Sequence, residues 1–296
     1  MHAELHNNNQ GISKLYDVNA PGGIKYNELA GELVIERETP VSAVVNGNQR
    51  SGMSALSTAV DIAIEKAKAH KFAVVGTHNT YTSTGMLAYY AEQIGKQDLI
   101  AIVLAQSPEL VAPVGGKVAT YGTNPMCFAI PGPEEGPLIF DMATAGVTLF
   151  GLITSKANGT PLPEGVAVDA DGQPTRDPVK ALEGALLTFG GHKGSGLSLM
   201  VEILGGVLPG GTPPGGPVKK KMAKNWANTI IAFDPALLAD VGEFKTRVRG
   251  VLAHVKSTGD KVMLPGRHFP SLGGTAAIAW TDRQTYPLQV RLKRPI

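Results

Sequence analysis

Residues 190–200 read GGHKGSGLSLM, an imidazole and an ammonium set among glycines at the start of an apolar, helix-forming run. A helix start offers unpaired backbone N–H groups and a partial positive charge, so it attracts anions. Lys193 adds a full charge there, and Gly191, Gly194 and Gly196 remove side chains that would hold an anion at a distance. The chemistry this predicts is capture of a small molecule bearing a phosphate. Neither common phosphate signature accounts for it. GHKGSG reverses the P-loop order, and no G-x-G-x-x-G follows an early strand with an acid about 20 residues on. A dinucleotide bound here would sit in something other than a Rossmann crevice.

Three more stretches carry groups that could do chemistry. GTNP (122–125) joins the hydroxyl of Thr123 to Asn124 in a turn-forming Asn-Pro pair. IFDMATA (139–145) ends an apolar run on Asp141, and LPGRHF (264–269) sets a cation and an imidazole behind a glycine. Cys127 lies in the apolar run MCFAI and is predicted to be a buried, inert thiol that suits a reducing compartment. No cluster of His, Cys, Asp and Glu has ligand spacing, so no structural metal is expected.

These groups need a scaffold, and the periodicities predict an α/β one. AVVNG (43–47), FAVVGT (72–77), LIAIVLA (99–105) and TIIAFDP read as strands. Met53–His70 repeats Ala55, Leu56, Ala59, Ile62, Ala63 and Ala67 at helical spacing, and further helices are expected near 84–95, 195–208 and 236–257. The 195–208 helix is so apolar that burial in the core is expected. Residues 106–150 break into short strands whose ends carry polar loops, 155–180 read as an irregular crossing, and 209–221 as a flexible surface loop. The tail 271–296 shows weak strand signals without a clear assignment.

The motifs do not occur singly. GGHKGSGLSLMVEIL, YGTNPMCFAIP, IFDMATA and LPGRHF stand in the order and spacing of the malate/L-lactate dehydrogenase-like family, the non-Rossmann NAD(P)-dependent oxidoreductases. The chain resembles that family over about residues 7–270. The nearest resemblance is to its Δ1-piperideine-2-carboxylate/Δ1-pyrroline-2-carboxylate reductases, through LPEGVAVDADGQPTRDP and ALEGALLTFGGHKGSGLSLMVEIL.

The resemblance implies a homodimer of α/β subunits, each with a non-Rossmann NAD(P)-binding domain of mixed sheet flanked by helices. That domain is expected over 42–231. A smaller helical domain built from both chain ends, 1–41 and 232–296, would serve the substrate side and dimerisation, and its N-terminal part is shorter than in the family. By motif, Asp141, Met142, Ala143 and Thr144 would lie along the dinucleotide. His192, Lys193 and Gly194 would meet its phosphate or ribose, and Gly266, Arg267 and His268 would complete the contact. Thr123 and Asn124 would line the substrate side.

Two departures shape the expected reaction. The family's SHG histidine and the arginine that follows it correspond here to NQGISK, with Asn9, Gln10 and Lys14 in their place. The histidine of a second family pattern, NSNHFG, aligns with NTYTST and becomes Thr82. Ketone reduction needs a proton donor, and Gln10 cannot supply one near neutral pH. A cyclic imine can be protonated before hydride arrives, which leaves the enzyme to position it and pair its carboxylate. The expected activity is therefore NAD(P)H-dependent reduction of a cyclic imine carboxylate, with NADP favoured over NAD. Lys14 and Asn9 would meet the substrate carboxylate, Gln10 would hydrogen-bond the substrate, Asp141 would hold an iminium, and Thr82 would relay a proton. The alternatives are a 2-oxoacid or 2-hydroxyacid dehydrogenase and a non-catalytic dinucleotide-binding relative.

Charge excludes one broad class. Against 25 acidic residues stand 27 basic ones, a net charge of +2, so no basic field points to nucleic acid. No run approaches the ~18 apolar residues of a membrane span, and the N-terminus lacks the apolar core of a secretory signal. A cytoplasmic enzyme acting on a small carboxylate is the expectation.

Overall fold

The computed structural model describes residues 27–134, 136–215 and 225–266. Its main layer is a seven-stranded mixed sheet in the order β1-β2-β3-β10-β4-β6-β7. The strands are β1 (Val34–Thr39), β2 (Ser42–Asn46), β3 (Phe72–Thr80), β4 (Ile100–Ala105), β6 (Met126–Ile130), β7 (Leu138–Met142) and β10 (Trp226–Phe233). Only β2 and β3 run parallel, joined across helix α1 (Gly52–His70); every other neighbouring pair is antiparallel. The late strand β10 slots between β3 and β4, which puts chemistry from distant sequence on one sheet.

Alternation along β4 sorts its residues onto two faces. Ala101, Val103 and Ala105 pack with Leu56, Ala59 and Ala63 of α1 and with Leu87, Ala91 and Ile94 of α2 (Leu87–Gly95). The alanine stripe of α1 is what lets that helix lie close to the sheet. Ser51 caps its start, accepting from the Met53 N–H at 3.1 Å, and Lys71 ends it in the left-handed region. Ile102 and Leu104 face the other way, toward Val201.

A second sheet of three short strands, β5 (Val111–Ala112), β9 (Ala185–Leu187) and β8 (Ala167–Val168), has its own small core. Val111, Leu152, Leu162, Ala181 and Leu186 meet there, under helices α3 (Leu149–Asn158) and α4 (Pro178–Glu183). Helix α3 corrects the expectation of a wholly irregular 155–180 and of strands throughout 106–150. Its local signals are Thr148, whose hydroxyl accepts from the Gly151 N–H at 3.0 Å, and Gly159, which closes it at φ 63°.

Helix α5 (His192–Val201) continues without a break into a π-helical segment, Glu202–Val207. The expectation that this apolar run lies in the core is overturned. Its inward face is small and polar: Gly194, Ser195, Ser198, Val201, Glu202, Gly205 and Gly206 are buried. Its large apolar side chains, Leu197, Leu199, Met200, Ile203, Leu204, Val207 and Leu208, point out and are 38% to 64% exposed. The inward glycines explain the inversion. A Cβ on Gly205 would stand 3.0 Å from the Leu104 Cβ, and one on Gly206 2.9 Å from the Gln106 side chain. The helix lies so close to the end of β4 that only its narrow side fits. Helix α6 (Val241–Ser257) follows β10 and is capped by Asp240, which accepts from the Glu243 N–H. No helix among the described residues is long and apolar enough to cross a membrane.

Candidate functional site

The end of β7 is where the two sheets meet. Past Met142 the chain leaves the large sheet, and Ala145 bridges to Thr188, just beyond β9 of the small one. Gly146 donates to the Leu187 carbonyl at 2.8 Å, and the Phe189 N–H donates back to the Thr144 carbonyl at 3.1 Å. The IFDMATA segment and the GGHKG turn therefore lie side by side. The GTNP turn is stitched to the same place. The Thr144 N–H donates to the Thr123 carbonyl at 2.9 Å, and its hydroxyl reaches the Thr123 and Asn124 carbonyls, each at 3.1 Å. Met142 and Ala143 stay half-exposed at this seam.

Asp141 sits one residue before the seam, buried. Its Oδ2 accepts from the Ala88 N–H at 2.8 Å, and the Leu87 N–H also donates to the carboxylate. Met86, the residue preceding α2, provides no side-chain cap, so Asp141 reaches across from the sheet and fills that role. Burial pushes its pKa up to about 6, against the opposing pull of the two N–H groups. The loop 81–86 ahead of α2 holds Thr82. The Thr82 hydroxyl accepts from the Gly52 N–H at 3.2 Å and donates to the Ser83 carbonyl at 3.3 Å, so it is engaged at the start of α1.

The start of α5 carries no side-chain cap. Gly190 and Gly191 turn the chain in the left-handed region, φ 56° and 61°, where a side chain would be strained. The Thr188 hydroxyl holds the Gly191 carbonyl at 3.1 Å. His192 and Lys193 are exposed, and Lys193 forms no ion pair with any described residue. A Cβ on Gly194 would lie 1.9 Å from the Phe189 carbonyl oxygen, so this glycine lets the helix pack on its own turn. Gly196 faces open space, and a Cβ there would touch nothing. Gly266 is buried at φ 77° and is the last described residue of its motif. Asn9, Gln10, Lys14, Arg267 and His268 lie outside the described residues.

Asn124 is fully buried and holds a left-handed backbone, φ 38°. Its Nδ2 donates to the Ser198 carbonyl at 3.1 Å and to Glu202 Oε2 at 2.6 Å. Glu202 Oε1 accepts from Gln106 Nε2, also at 2.6 Å. Burial raises the Glu202 pKa, and the charge of Glu109 adds to the rise; Asn124, Gln106 and the Gly122 N–H pull it back. The expectations passed over Glu202, Gln106 and Ser198. One signal was present: Ser195, Ser198 and Glu202 fall on one face of a helix whose other positions after Lys193 are glycine or apolar. Among the described residues no group of three or more His, Cys, Asp or Glu side chains could hold a metal ion.

The stitched arrangement brings together two buried acids, Asp141 and Glu202, one uncapped helix start and a glycine turn. The chain matches the malate/L-lactate dehydrogenase family description over residues 11–270. It is 38% identical over 249 residues to the malate/(S)-sulfolactate dehydrogenase of Methanothermus fervidus, covering 82% of this chain and 73% of that one. It is 35% identical over 236 residues to a Δ1-pyrroline-2-carboxylate reductase of Burkholderia ambifaria, covering 76% and 68%. The crystal structure of Δ1-piperideine-2-carboxylate reductase from Pseudomonas syringae superposes with a TM-score of 0.72 at 30% identity, covering 79% of this chain and 71% of that one. The chain belongs to the malate/L-lactate dehydrogenase family and is an oxidoreductase of the kind that works with a nicotinamide cofactor.

Proposed function

We propose that this protein reduces a small cyclic imine carboxylate, of the Δ1-pyrroline- or Δ1-piperideine-2-carboxylate type, using reduced NADP in preference to NAD. The observation that carries this reading is Asp141, a buried acid with a pKa of about 6 at the seam where the cofactor and substrate motifs meet. Thr82 stands where the family pattern places a histidine, so the site leans on a carboxylate in place of an imidazole. An imine suits that. Hydride adds to the imine carbon, the proton sits on the nitrogen, and the product is a cyclic secondary amine. Asp141, ionised above pH 6, pairs with the protonated imine and is close enough in proton affinity to exchange with it.

The cofactor, when bound, supplies the hydride. The chain's own groups bind and aim it. The uncapped N–H groups of α5, with His192, Lys193 and Gly194, suit its phosphates. Met142, Ala143 and Thr144 would lie along it, and Gly266, Arg267 and His268 would complete the contact. Thr123 and Asn124 border the substrate, Lys14 and Asn9 take its carboxylate, and Gln10 hydrogen-bonds the reacting end. Thr82, ahead of α2, would relay a proton. The outward apolar stripe of α5 supports a homodimer, and the buried thiol of Cys127 suits the reducing cytoplasm.

A second reading, reduction of a 2-oxoacid, draws on the 38% identity to a malate/(S)-sulfolactate dehydrogenase. In it, Asp141 would have to protonate the nascent alkoxide. Following NADPH consumption separates the two. Turnover is expected with Δ1-pyrroline- and Δ1-piperideine-2-carboxylate and should far exceed that with pyruvate or oxaloacetate. Lys193→Ala should raise the KM for NADPH roughly tenfold. Turnover of the oxoacids alone selects the second reading, and no turnover of either imine rejects the first.

A further inference from the structure

Outside the residues assigned so far, one charged group is buried at the heart of the site: Glu202, 3% exposed, where α5 passes into its π-helical segment. We propose that Glu202 is a positioning residue, whose buried carboxylate clamps Asn124 and so sets the backbone of the GTNP turn against the IFDMATA segment. This rests on reading the seam as the hydride-transfer site.

Three donors converge on this one carboxylate: Asn124 Nδ2, Gln106 Nε2 and the Gly122 N–H. Two of the bonds measure 2.6 Å. Their effect on Asn124 is specific. Asn124 holds a left-handed backbone, which its residue type tolerates, and Glu202 and Ser198 fix its carboxamide. The turn then presents the Asn124 and Thr123 carbonyls to the Thr144 hydroxyl. A chain of contacts thus runs from helix to turn to strand end.

The surroundings are shaped around the clamp. A Cβ on Gly122 would fall 2.6 Å from Asn124 Oδ1 and 2.3 Å from the Ser107 carbonyl oxygen. A Cβ on Gly211 would fall 2.5 Å from Gln106 Oε1. Glycine backbone is thus packed against the oxygen side of both amides. The π-helix serves the same placement. Its i→i+5 bond runs from the Leu208 N–H to the Ile203 carbonyl, and the Leu204 carbonyl is taken by the Thr229 hydroxyl at 2.7 Å. Such segments inside helices recur at functional sites.

Glu202→Gln replaces two acceptor oxygens with one oxygen and one NH2, so one of the three donors must move off. In the purified enzyme with NADPH and its best acceptor, kcat should fall about 100-fold, the scale of a displacement near 1 Å. The NADPH dissociation constant should change little, and the melting transition should stay cooperative. Glu202→Asp keeps the charge and should recover part of the lost kcat. Full kcat in the Gln variant would overturn the assignment, as would a loss of cooperative melting in both variants, which marks a structural role. If the wild-type enzyme turns over no acceptor, the reading of the seam fails separately. The clamp is then read by NMR: the Asn124 side-chain amide signals should move in Glu202→Gln, and unmoved signals would overturn it.

Discussion

At Asp141 two demands meet on one side chain. The carboxylate closes the first turn of α2 from across the sheet, and it sits in the candidate site with its pKa raised to about 6. Burial is the larger influence, so the protonated form is favoured on folding. Between about pH 4 and pH 6 the native state holds a proton that the unfolded chain has lost, and stability falls as pH rises through that window. Above it the cost is fully present, on the order of 3 kcal/mol. Asp141→Asn should flatten this part of the melting-temperature profile relative to wild type, because the amide never ionises and its oxygen still accepts from one α2 N–H. The same variant should lower kcat at least 100-fold and remove the ionisation near pH 6 from the rate profile. A variant that keeps full turnover would leave Asp141 as a helix cap alone.

The start of α5 shows how one element reads differently from inside and outside. Two of its glycines look equivalent in GGHKGSG, yet Gly194 abuts the Phe189 carbonyl and Gly196 abuts nothing. Gly194→Ala forces the helix away from its own turn and should cost about 1–3 kcal/mol or more, with the shift passing to Thr144 through the Phe189 N–H. Gly196→Ala should instead stabilise by roughly 0.5–1 kcal/mol, since it relieves only backbone entropy on an exposed helix. Paired melts decide it: similar shifts for both would refute the packing account. The motif's position at a helix mouth was legible because glycines and an apolar run mark it locally. The division of labour between the glycines was not, since it depends on a carbonyl whose placement folding decides. Glu202 was missed for a related reason. One acid in an apolar helix has no partner within the sequence window, and its partners Gln106 and Asn124 come from other strand ends.

At the scale of the whole molecule, the alternating strands and helices were legible as an α/β layer because buried strands keep their apolar runs wherever they sit in the sheet. The strand order was not, since nothing local places β10 between β3 and β4. Least legible was which side of α5 faces in. Periodicity assigns large apolar residues to the interior, but here a glycine and serine face packs inward and the large side chains are left at the surface. Seven of them on one continuous helix make a patch that a soluble monomer rarely leaves open, and a second copy of the chain is the occupant the resemblance implies. An isologous contact would set helix against helix, so a charge at its centre is repeated in both subunits and buried twice. Leu204→Glu and Met200→Glu should each shift the sedimenting species from dimer to monomer while the melting transition stays cooperative, because neither side chain supports the chain's own core. If the wild type sediments as a monomer at micromolar concentration, or both variants sediment as dimers like the wild type, the stripe serves some other contact.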